Sequence, residues 1–523
     1  MFNVNKKLQF ENGLKPQIQI AGKKGGNIIQ RMVDLHIPSV SIALIEDGKT
    51  SWSQEYSVFD TKPNQPSIFQ AGSISKTINA VLAMKVLVET GIIGLDDDIN
   101  QHLKDWKIPK TTGEKVTLRQ LLSHTAGTSV GGFLGYPSTH KIMPSTIDIL
   151  NGNPKVDPNV WPPPEFPDGI VNNSPVEVIG IPGTAEAYSG GGTTIIQQLI
   201  EENLKLIGKE TGNTYDSYAD LAQKLIFIPL RMKSSTFNPK YPGLTSENIQ
   251  IGHDQHGQPI LGQWRIHPEL AASGLWSNSE DLRKFAIAVL QSLNGENENF
   301  LKQHTAEEMV KRQPKSDFGL GFECYQFGEE FSFGHGGTNN GYECSYIIFP
   351  GKNAGAVIMT NSANGDKFID ECKRSLFETY HWADLPQTIK HVKELDVSQL
   401  KPCIGEYTFE FNGNKQTASV HIEGTKLFIS IPYPRLDSVE KKRIELMPDS
   451  DHSFFSTETN MIATFNADYT QLVFWEFKAD KMQQEENSPK VTETTAGLFS
   501  GHQRQQDDKE QPKPETTKSP KQE

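Results

Sequence analysis

Cysteine is scarce in this chain of 523 residues, and the four that occur form no recognisable pattern. They include no C-x-x-C pair, the spacing that is typical of zinc sites and of redox-active disulfides. An H-E-x-x-H motif is missing as well. We therefore expect neither a disulfide framework nor a bound metal, and nothing implies an organic cofactor. The four cysteines are Cys324, Cys344, Cys372 and Cys403.

Positive charge is also in deficit, because the formal net charge is -13. Proteins that bind nucleic acid need a basic face that displaces counterions, so this charge argues against a nucleic-acid partner. Long hydrophobic runs are missing too: no stretch of about 18 apolar residues predicts a membrane span. No apolar segment follows Lys6 and Lys7 as in a secretory signal peptide. We expect a cytoplasmic protein by default, with export by a route that ignores the N-terminus left open.

An apolar segment at residues 74–90 carries the first chemical signal. It reads ISKTINAVLAMKVLVET, is apolar on nearly every face, and predicts a buried helix that ends at Gly91. Ser73 and Lys76 form an S-x-x-K pattern at its start, and positions i and i+3 share one face of a helix. A neutral lysine can take the serine proton, and burial favours the neutral form. The pattern predicts Ser73 as a nucleophile and Lys76 as its base.

The S-x-x-K pattern by itself is weakly specific. From this pattern alone, an interpretation of Ser73 as a helix cap and Lys76 as a surface lysine would be at least as good as the catalytic one. Only Ser73, however, opens a long buried helix directly after a glycine. The other matches are Ser138…Lys141, Ser398…Lys401 and Ser438…Lys441.

Three further segments change this balance. Residues 122–127 read LSHTAG, residues 182–190 read PGTAEAYSG, and residues 334–341 read GHGGTNNG. In this order and spacing, and together with AASGLWSNSEDLRKFA and VIMTNSANG, they resemble the serine β-lactamase and penicillin-binding-protein superfamily. The resemblance is to its branch of class C β-lactamases, D,D-peptidases and esterases, and it runs from about residue 25 to about residue 385.

The resemblance implies roles for particular residues. Ser73 attacks a carbonyl group and becomes acylated, while Lys76 helps to deprotonate it. Tyr188 matches the tyrosine of a Tyr-x-Asn motif, which moves a proton between the nucleophile and the leaving group. The backbone N–H groups of Ser73 and Thr338 would form the oxyanion hole.

Two positions depart from the pattern of the superfamily. Gly190 replaces the asparagine of Tyr-x-Asn, and His335 replaces the lysine of Lys-Thr-Gly with a group that can be neutral near pH 7. His335 would position Tyr188 or bind substrate, and Gly336 and Gly337 would let the strand approach substrate closely. We expect the three glycines to contribute to substrate binding. Both departures weaken recognition of a substrate carboxylate, so we predict weak β-lactamase activity at most.

The leading hypothesis is a serine hydrolase that acts through an acyl-enzyme on an ester, an amide or a D-amino-acid peptide. Its substrate would be a small molecule or a short peptide. A true β-lactamase or D,D-peptidase is the first alternative, and a non-catalytic binding or scaffolding protein on the same fold is the second. An α/β-hydrolase is disfavoured because no G-x-S-x-G elbow is present. The sequence leaves the oligomeric state open.

The predicted fold is α+β, with an antiparallel sheet flanked by helices, as the superfamily has. Asp47-Gly48 and residues 350–353 predict hairpins near the two ends of this region. Later in the chain, short alternating strands predict a small all-β barrel or sandwich. We expect an N-terminal extension (1–24), a catalytic domain (25–385), a linker (386–400), the β-domain (401–486) and a disordered tail (487–523).

Overall fold

The computed structural model describes residues 2–23, 25–58, 67–109, 114–158, 160, 163–238, 248–411, 414–432 and 441–482. The chain divides into two units, Met1–Met482 and Gln483–Glu523. The predicted tail at 487–523 lies outside the described residues. The architecture below concerns the first unit.

Twelve α-helices form within the described ranges. They are α1 (Phe2–Glu11), α2 (Ile28–Asp34), α3 (Ser75–Ala83), α4 (Leu118–Leu122), α5 (Thr146–Asn151), α6 (Gly190–Thr211), α7 (Tyr218–Ala222), α8 (Leu270–Ser273), α9 (Ser279–Leu293), α10 (Gln303–Val310), α11 (Gly365–Tyr380) and α12 (Val397–Leu400).

Twenty strands accompany them in the same part of the chain. They are β1 (Ile18–Ile20), β2 (Ser39–Glu46), β3 (Lys49–Ser57), β4 (Phe69–Gln70), β5 (Tyr136–Pro137), β6 (Arg265–Ile266), β7 (Trp276–Ser277), β8 (Glu323–Phe327), β9 (Glu330–Asn339), β10 (Tyr342–Phe349), β11 (Ala354–Thr360), β12 (Thr388–Lys390), β13 (Gly405–Phe411), β14 (Asn414–Glu423), β15 (Lys426–Pro432), β16 (Lys441–Pro448), β17 (Ser453–Phe455), β18 (Ile462–Phe465), β19 (Gln471–Phe474) and β20 (Phe477–Lys481).

The main sheet has six strands in the order β3-β2-β11-β10-β9-β8, and all of its pairings are antiparallel. The first predicted hairpin joins β2 to β3 through Asp47 (φ 51°) and Gly48 (φ 67°), the positive angles that a tight two-residue turn needs. The second joins β10 to β11, where Phe349 pairs with Ala354. Strands from both ends of the region thus meet in one antiparallel sheet, which confirms the predicted fold class.

Two hydrophobic cores cover the two faces of this sheet. One contains α3 together with α6 and α9, and the other contains α2 and α11 with residues of α1. All nine residues of α3 are buried, which confirms the predicted buried helix, and four of them are polar or charged: Ser75, Lys76, Thr77 and Asn79. The helix continues as a π-helical turn, Met84–Val88, and the chain turns away at Gly91 (φ 74°).

The start of helix α9 offers two adjacent side chains that could cap it. Asn278, rather than Ser279, is the N-cap, because the Asn278 side chain accepts a hydrogen bond from the backbone N–H of Asp281 at 2.8 Å. Ser279 is instead the first helical residue, and its hydroxyl lies 2.7 Å from that of Ser41. The long-range contact to β2 thereby decides between two adjacent side chains that are both good caps.

Strands β13 to β20 form a closed, all-antiparallel barrel. Closure comes from the pairing of β13 with β20, where Tyr407 lies opposite Lys481. This pairing decides between the two predicted alternatives in favour of a barrel. Within the described ranges, helices that combine the length and the apolar character of a membrane span do not occur.

Candidate active site

Ser73 lies in a short 3₁₀ turn, Gly72–Ile74, that leads from β4 directly into α3. Gly72 has φ 51°, and a Cβ atom there would lie 2.7 Å from the backbone nitrogen of Thr338. Only glycine therefore lets this turn press against β9. The result is that Ser73 stands at the start of a helical segment, half-buried, with its backbone close to that of Thr338.

Lys76 lies one turn further along and is 3% exposed. Its Nζ donates hydrogen bonds to Ser73 Oγ at 3.0 Å and to the carbonyl oxygen of Ala272 at 2.9 Å. Burial lowers the pKa of Lys76 to about 7, although the carboxylates of Glu323 and Glu269 oppose this shift. A substantial fraction of Lys76 is therefore neutral near pH 7 and able to accept the serine proton.

The ring of Tyr188 lies near Lys76, with its centroid 5.0 Å from Lys76 Nζ. The residue as a whole is 36% exposed. Desolvation of its hydroxyl group raises the pKa of Tyr188 above its ordinary value, and a hydrogen bond with Ser73 opposes the rise. The tyrosine is thus a neutral phenol at pH 7. A phenol in contact with both the nucleophile and a lysine can pass a proton onward.

Two further aromatic groups hold the Tyr188 ring, and sequence reasoning gave neither a role. The His124 ring lies 4.4 Å from it and the Phe318 ring 5.8 Å, measured between centroids. His124 Nδ1 accepts a hydrogen bond from the backbone N–H of Ser189 at 3.2 Å, and burial lowers the pKa of His124 well below its usual range. The segment LSHTAG was a signal for His124, whereas Phe318 lies in no quoted segment.

His335 is 1% exposed and lies on β9. Burial lowers the pKa of His335, helped by Lys76 and opposed by Glu323, whose carboxylate lies 4.0 Å away. The ring is therefore neutral at pH 7. Its Nδ1 lies 2.6 Å from the carbonyl oxygen of Gly336, so Nδ1 carries the proton and Nε2 is an acceptor. Within the described residues, His335 Nε2 has no hydrogen-bond partner.

One edge of β9 is open beside the nucleophile. The neighbouring strand β8 begins at Glu323, opposite Gly334, and does not continue along the rest of β9. Among the described residues, no strand pairs with residues 335–338 on this side, as a strand that receives an extended ligand requires. The oxyanion hole at the backbone N–H groups of Ser73 and Thr338 stays a prediction, although the turn that contains Ser73 packs against Thr338.

The remaining predicted residues divide into two groups. A cavity of about 480 Å³ is lined by Ser73, Tyr188 and His335 together with Gly336 and Gly337. Gly190 does not line that cavity. It is buried at the start of α6, where a Cβ atom would lie 3.0 Å from the Phe133 ring. Loop residues 131–133 lie between Gly190 and the open space, so its role in substrate binding stays a prediction.

In the part of the chain that the structure describes, no three histidine, cysteine, aspartate or glutamate side chains are grouped so as to hold a metal ion.

A family model described as "Beta-lactamase" matches residues 26–380 of the chain. This match covers more than half of the sequence and includes helix α3 with Ser73 before it, Tyr188 and strand β9. The chain therefore belongs to the β-lactamase family, and the resemblance noted in the sequence is confirmed.

Individual relatives are distant. "Protein flp" of Staphylococcus aureus (strain MRSA252) is 21% identical over 334 residues, which cover 62% of this chain and 60% of that protein. The chain thus matches about 60% of the length of this curated relative. The β-lactamase of Psychrobacter immobilis is 24% identical over 267 residues, with 50% of this chain and 55% of the relative covered.

Two solved structures share the fold over most of the chain. The octameric penicillin-binding protein homologue from Pyrococcus abyssi has a TM-score of 0.51 at 21% identity, covering 87% of this chain and 98% of its own. The structure of SurE with D-Leu has a TM-score of 0.51 at 18% identity and the same coverage of both chains. At these identities the similarity establishes the fold alone.

Proposed function

We propose that this protein is a serine hydrolase that works through a covalent acyl-enzyme on Ser73. The observation that carries the proposal is the 3.0 Å hydrogen bond from Lys76 Nζ to Ser73 Oγ, made by a lysine whose pKa is lowered to about 7. A nucleophile in contact with a base of suitable pKa is the arrangement that nucleophilic catalysis requires. The substrate class is an ester, an amide or a D-amino-acid peptide.

The first half of the reaction forms the acyl-enzyme. Neutral Lys76 takes the hydroxyl proton of Ser73 as Oγ bonds to the carbonyl carbon of the substrate. The negative charge that develops on the carbonyl oxygen is stabilised by the backbone N–H groups of Ser73 and Thr338. The bond to the leaving group then breaks, and Tyr188 gives its proton to the leaving group while it recovers a proton from Lys76.

The second half releases the product. A water molecule loses a proton to neutral Lys76 as its oxygen attacks the acyl carbon, and the acyl–Oγ bond breaks as Lys76 returns this proton to Ser73 Oγ. Neutral His335 presents Nε2 as an acceptor beside the substrate. Such a group can accept a hydrogen bond from a substrate N–H, but it offers no permanent charge to a carboxylate. This feature favours esterase or peptidase-like activity over β-lactam hydrolysis.

The decisive experiment compares two covalent probes. Purified protein is treated with a fluorophosphonate and with fluorescent penicillin, next to Ser73→Ala and to Ser398→Ala as a matched control. Ser398 also belongs to an S-x-x-K pattern, but it is exposed on the short helix α12. We expect fluorophosphonate labelling that is lost in Ser73→Ala and kept in Ser398→Ala. D-amino-acid esters and amides belong in the substrate panel, because the SurE structure was obtained with D-Leu.

Each alternative predicts a different result in the same assay. Efficient labelling by penicillin followed by rapid turnover would favour a true β-lactamase, and stable penicillin labelling would favour a D,D-peptidase. If no labelling depends on Ser73, the hydrolase proposal is wrong and a binding or scaffolding role takes its place.

A further inference from the structure

The active-site cavity continues around β9 to the opposite face of the sheet. On β10, Cys344 and Tyr346 point into the core that contains α3, whereas Ile347 points into the core that contains α11. Because side chains alternate along a strand, Ser345 lies on the α11 face. Ser345 nevertheless lines the same cavity as Ser73, so open space connects the two faces.

Two small residues make this connection possible. Gly336 on β9 lies directly opposite Ser345 on β10, and residues paired in this way project to the same face. A Cβ atom added to Gly336 would meet no other atom within 4 Å. The pair therefore leaves room where two larger side chains would have filled the gap.

Beyond Gly336 the cavity is lined by a polar group that we call the acidic chamber: Glu323, Glu343, Ser345, Asp366 and Lys373. Carboxylates outnumber amino groups there by three to one. Burial lowers the pKa of Lys373, although Glu323 and Asp370 oppose this shift. Lys373 therefore loses its proton, and with it its positive charge, more readily than an ordinary lysine. An added positive charge would be favoured in such surroundings, and more so at the reduced dielectric of a cavity.

Ser345 gives an independent sign that a ligand group belongs in the chamber. The residue is 3% exposed, and its hydroxyl has no hydrogen-bond partner within the described part of the chain. Buried polar atoms are almost always paired, so an orphaned hydroxyl that faces a cavity indicates a missing partner. A hydroxyl oxygen can accept a hydrogen bond from a cation that the carboxylates attract.

We propose that the acidic chamber binds a protonated amine carried by the substrate, on the portion that extends past Gly336. The inference rests on the proposed hydrolase function and adds a substrate class to it. The amine would donate hydrogen bonds to Ser345 Oγ and to the carboxylates of Glu343 and Asp366. A substrate carboxylate in the same position would meet three groups of its own charge.

The first test uses three esters that share one reacting group and differ only in the end of an alkyl arm. The arm ends in an ammonium group, a methyl group or a carboxylate, and it is placed in turn on the acyl side and on the leaving-group side. For one of the two placements we expect kcat/KM to be about tenfold higher for the ammonium ester than for the methyl ester. The carboxylate ester should be the slowest of the three.

Variants identify the groups responsible. The ratio of kcat/KM for the ammonium and methyl esters should fall in Glu343→Gln and in Asp366→Asn, and should approach one in the double variant. Glu378→Gln is the matched control, because Glu378 lies on the same helix α11 but is exposed and pairs with Lys15. That variant should keep the wild-type ratio.

A second readout does not depend on catalysis. In Ser73→Ala, n-butylamine at pH 7 should raise the melting temperature, whereas 1-butanol and butyrate should not. Adding Glu343→Gln and Asp366→Asn should abolish the shift.

The outcomes separate the chamber proposal from the hydrolase proposal. A protein that reacts with the fluorophosphonate but shows neither an ammonium preference nor this shift refutes the chamber proposal alone. A protein that shows the shift without Ser73-dependent labelling refutes the hydrolase proposal alone. Preference for the carboxylate ester, lost in Lys373→Gln, would assign the chamber to an anion instead.

Discussion

Strand β9 separates two environments that differ in chemistry. On the side of α3, Lys76 and Tyr188 are held by hydrogen bonds and ring contacts around Ser73, and burial moves the pKa of each away from its ordinary value. On the side of α11, the cavity wall is acidic and contains the Ser345 hydroxyl group, which has no hydrogen-bond partner among the residues that the structure describes. The first side is where we propose proton transfer, and the second is where we propose that part of the substrate binds.

Two adjacent glycines in β9 show that the two faces of the strand also differ in packing. A Cβ atom at Gly337 would lie 2.1 Å from the carbonyl oxygen of Ala71, next to the turn that carries Ser73. A Cβ atom at Gly336 would meet nothing within 4 Å. Close packing therefore fixes the turn that contains Ser73 on one face, while open space lies on the other. The predictions below test this contrast, beginning with the largest expected effect.

Replacing Lys76 should have the largest effect on the reaction. Lys76→Met removes the group that accepts the Ser73 proton, so we expect fluorophosphonate labelling and ester hydrolysis to slow by about 10³-fold. Lys85→Met is the matched control. Lys85 lies further along the same helical segment, where it donates hydrogen bonds to Asn299 O and Phe300 O and does not line the cavity. A similar loss in both variants would point to damage to the fold.

The pH dependence tests the same group without mutation. The active form of a general base is the unprotonated one, and the pKa of Lys76 is lowered to about 7. Activity should therefore rise with pH through about 7 and level off above it, with about a tenth of the plateau remaining one pH unit below the pKa. A profile of kcat/KM from pH 5 to 9 measures this. Activity that is flat across pH 7 would exclude Lys76 as the base.

Tyr188→Phe should have the next largest effect. The change keeps the ring that packs against His124 and Phe318 but removes the hydroxyl that contacts Ser73. We expect kcat to fall by about 10²-fold for an ester with a poor leaving group, and by less for one that needs no protonation. Steady-state kinetics with both esters measures the difference. An equal loss for both would contradict a role in protonating the leaving group.

The two glycines provide a steric comparison. Gly337→Ala should displace the backbone at Ala71 and lower the melting temperature by several degrees, because overpacking typically costs about 1–3 kcal/mol. Gly336→Ala should leave the melting temperature within about one degree of the wild type, since its Cβ enters open space. Thermal melts of the purified variants suffice. Equal destabilisation by the two changes would show that the two faces of β9 are not different in packing.

Local patterns predicted a large part of this structure. Three features depend on residues that are close together in the chain, where propensity and spacing determine the local structure. They are the S-x-x-K helix, the Asp47-Gly48 turn and the short strands of the barrel. Membership of the β-lactamase family followed from the order of such segments. The sequence also pointed to Ser73, Lys76, Tyr188 and His335 before their contacts were known.

What the sequence did not predict depends on contacts between distant residues. Lys76 is held by the carbonyl of Ala272, which is 196 positions away, and no local pattern marks a backbone carbonyl as a partner. Phe318 reaches Tyr188 through a loop without a motif. Barrel closure required the pairing of β13 with β20, the first and last strands of that region. The acidic chamber combines residues of two strands with residues of helix α11, so no local sequence pattern predicted it either.

The smallest expected effect concerns Thr338, which links the two sides of β9. Its backbone nitrogen packs against Gly72, next to Ser73, while its hydroxyl donates a hydrogen bond to Glu343 Oε2 at 2.7 Å. Thr338→Val removes this donor and keeps a similar shape, so Glu343 has one more acceptor site for a bound ammonium. We expect the ratio of kcat/KM for the ammonium and methyl esters to rise by about twofold to threefold.

Thr338→Ser is the matched control for this prediction, because serine retains a hydroxyl that can donate to Glu343. Its ratio should stay at the wild-type value, and the rise in Thr338→Val should vanish when Glu343→Gln is added. An unchanged ratio in Thr338→Val would mean that Glu343 does not contact the ligand. A fall in the ratio would mean that the hydroxyl itself serves the cation, which would move the binding position from the chamber toward the oxyanion hole.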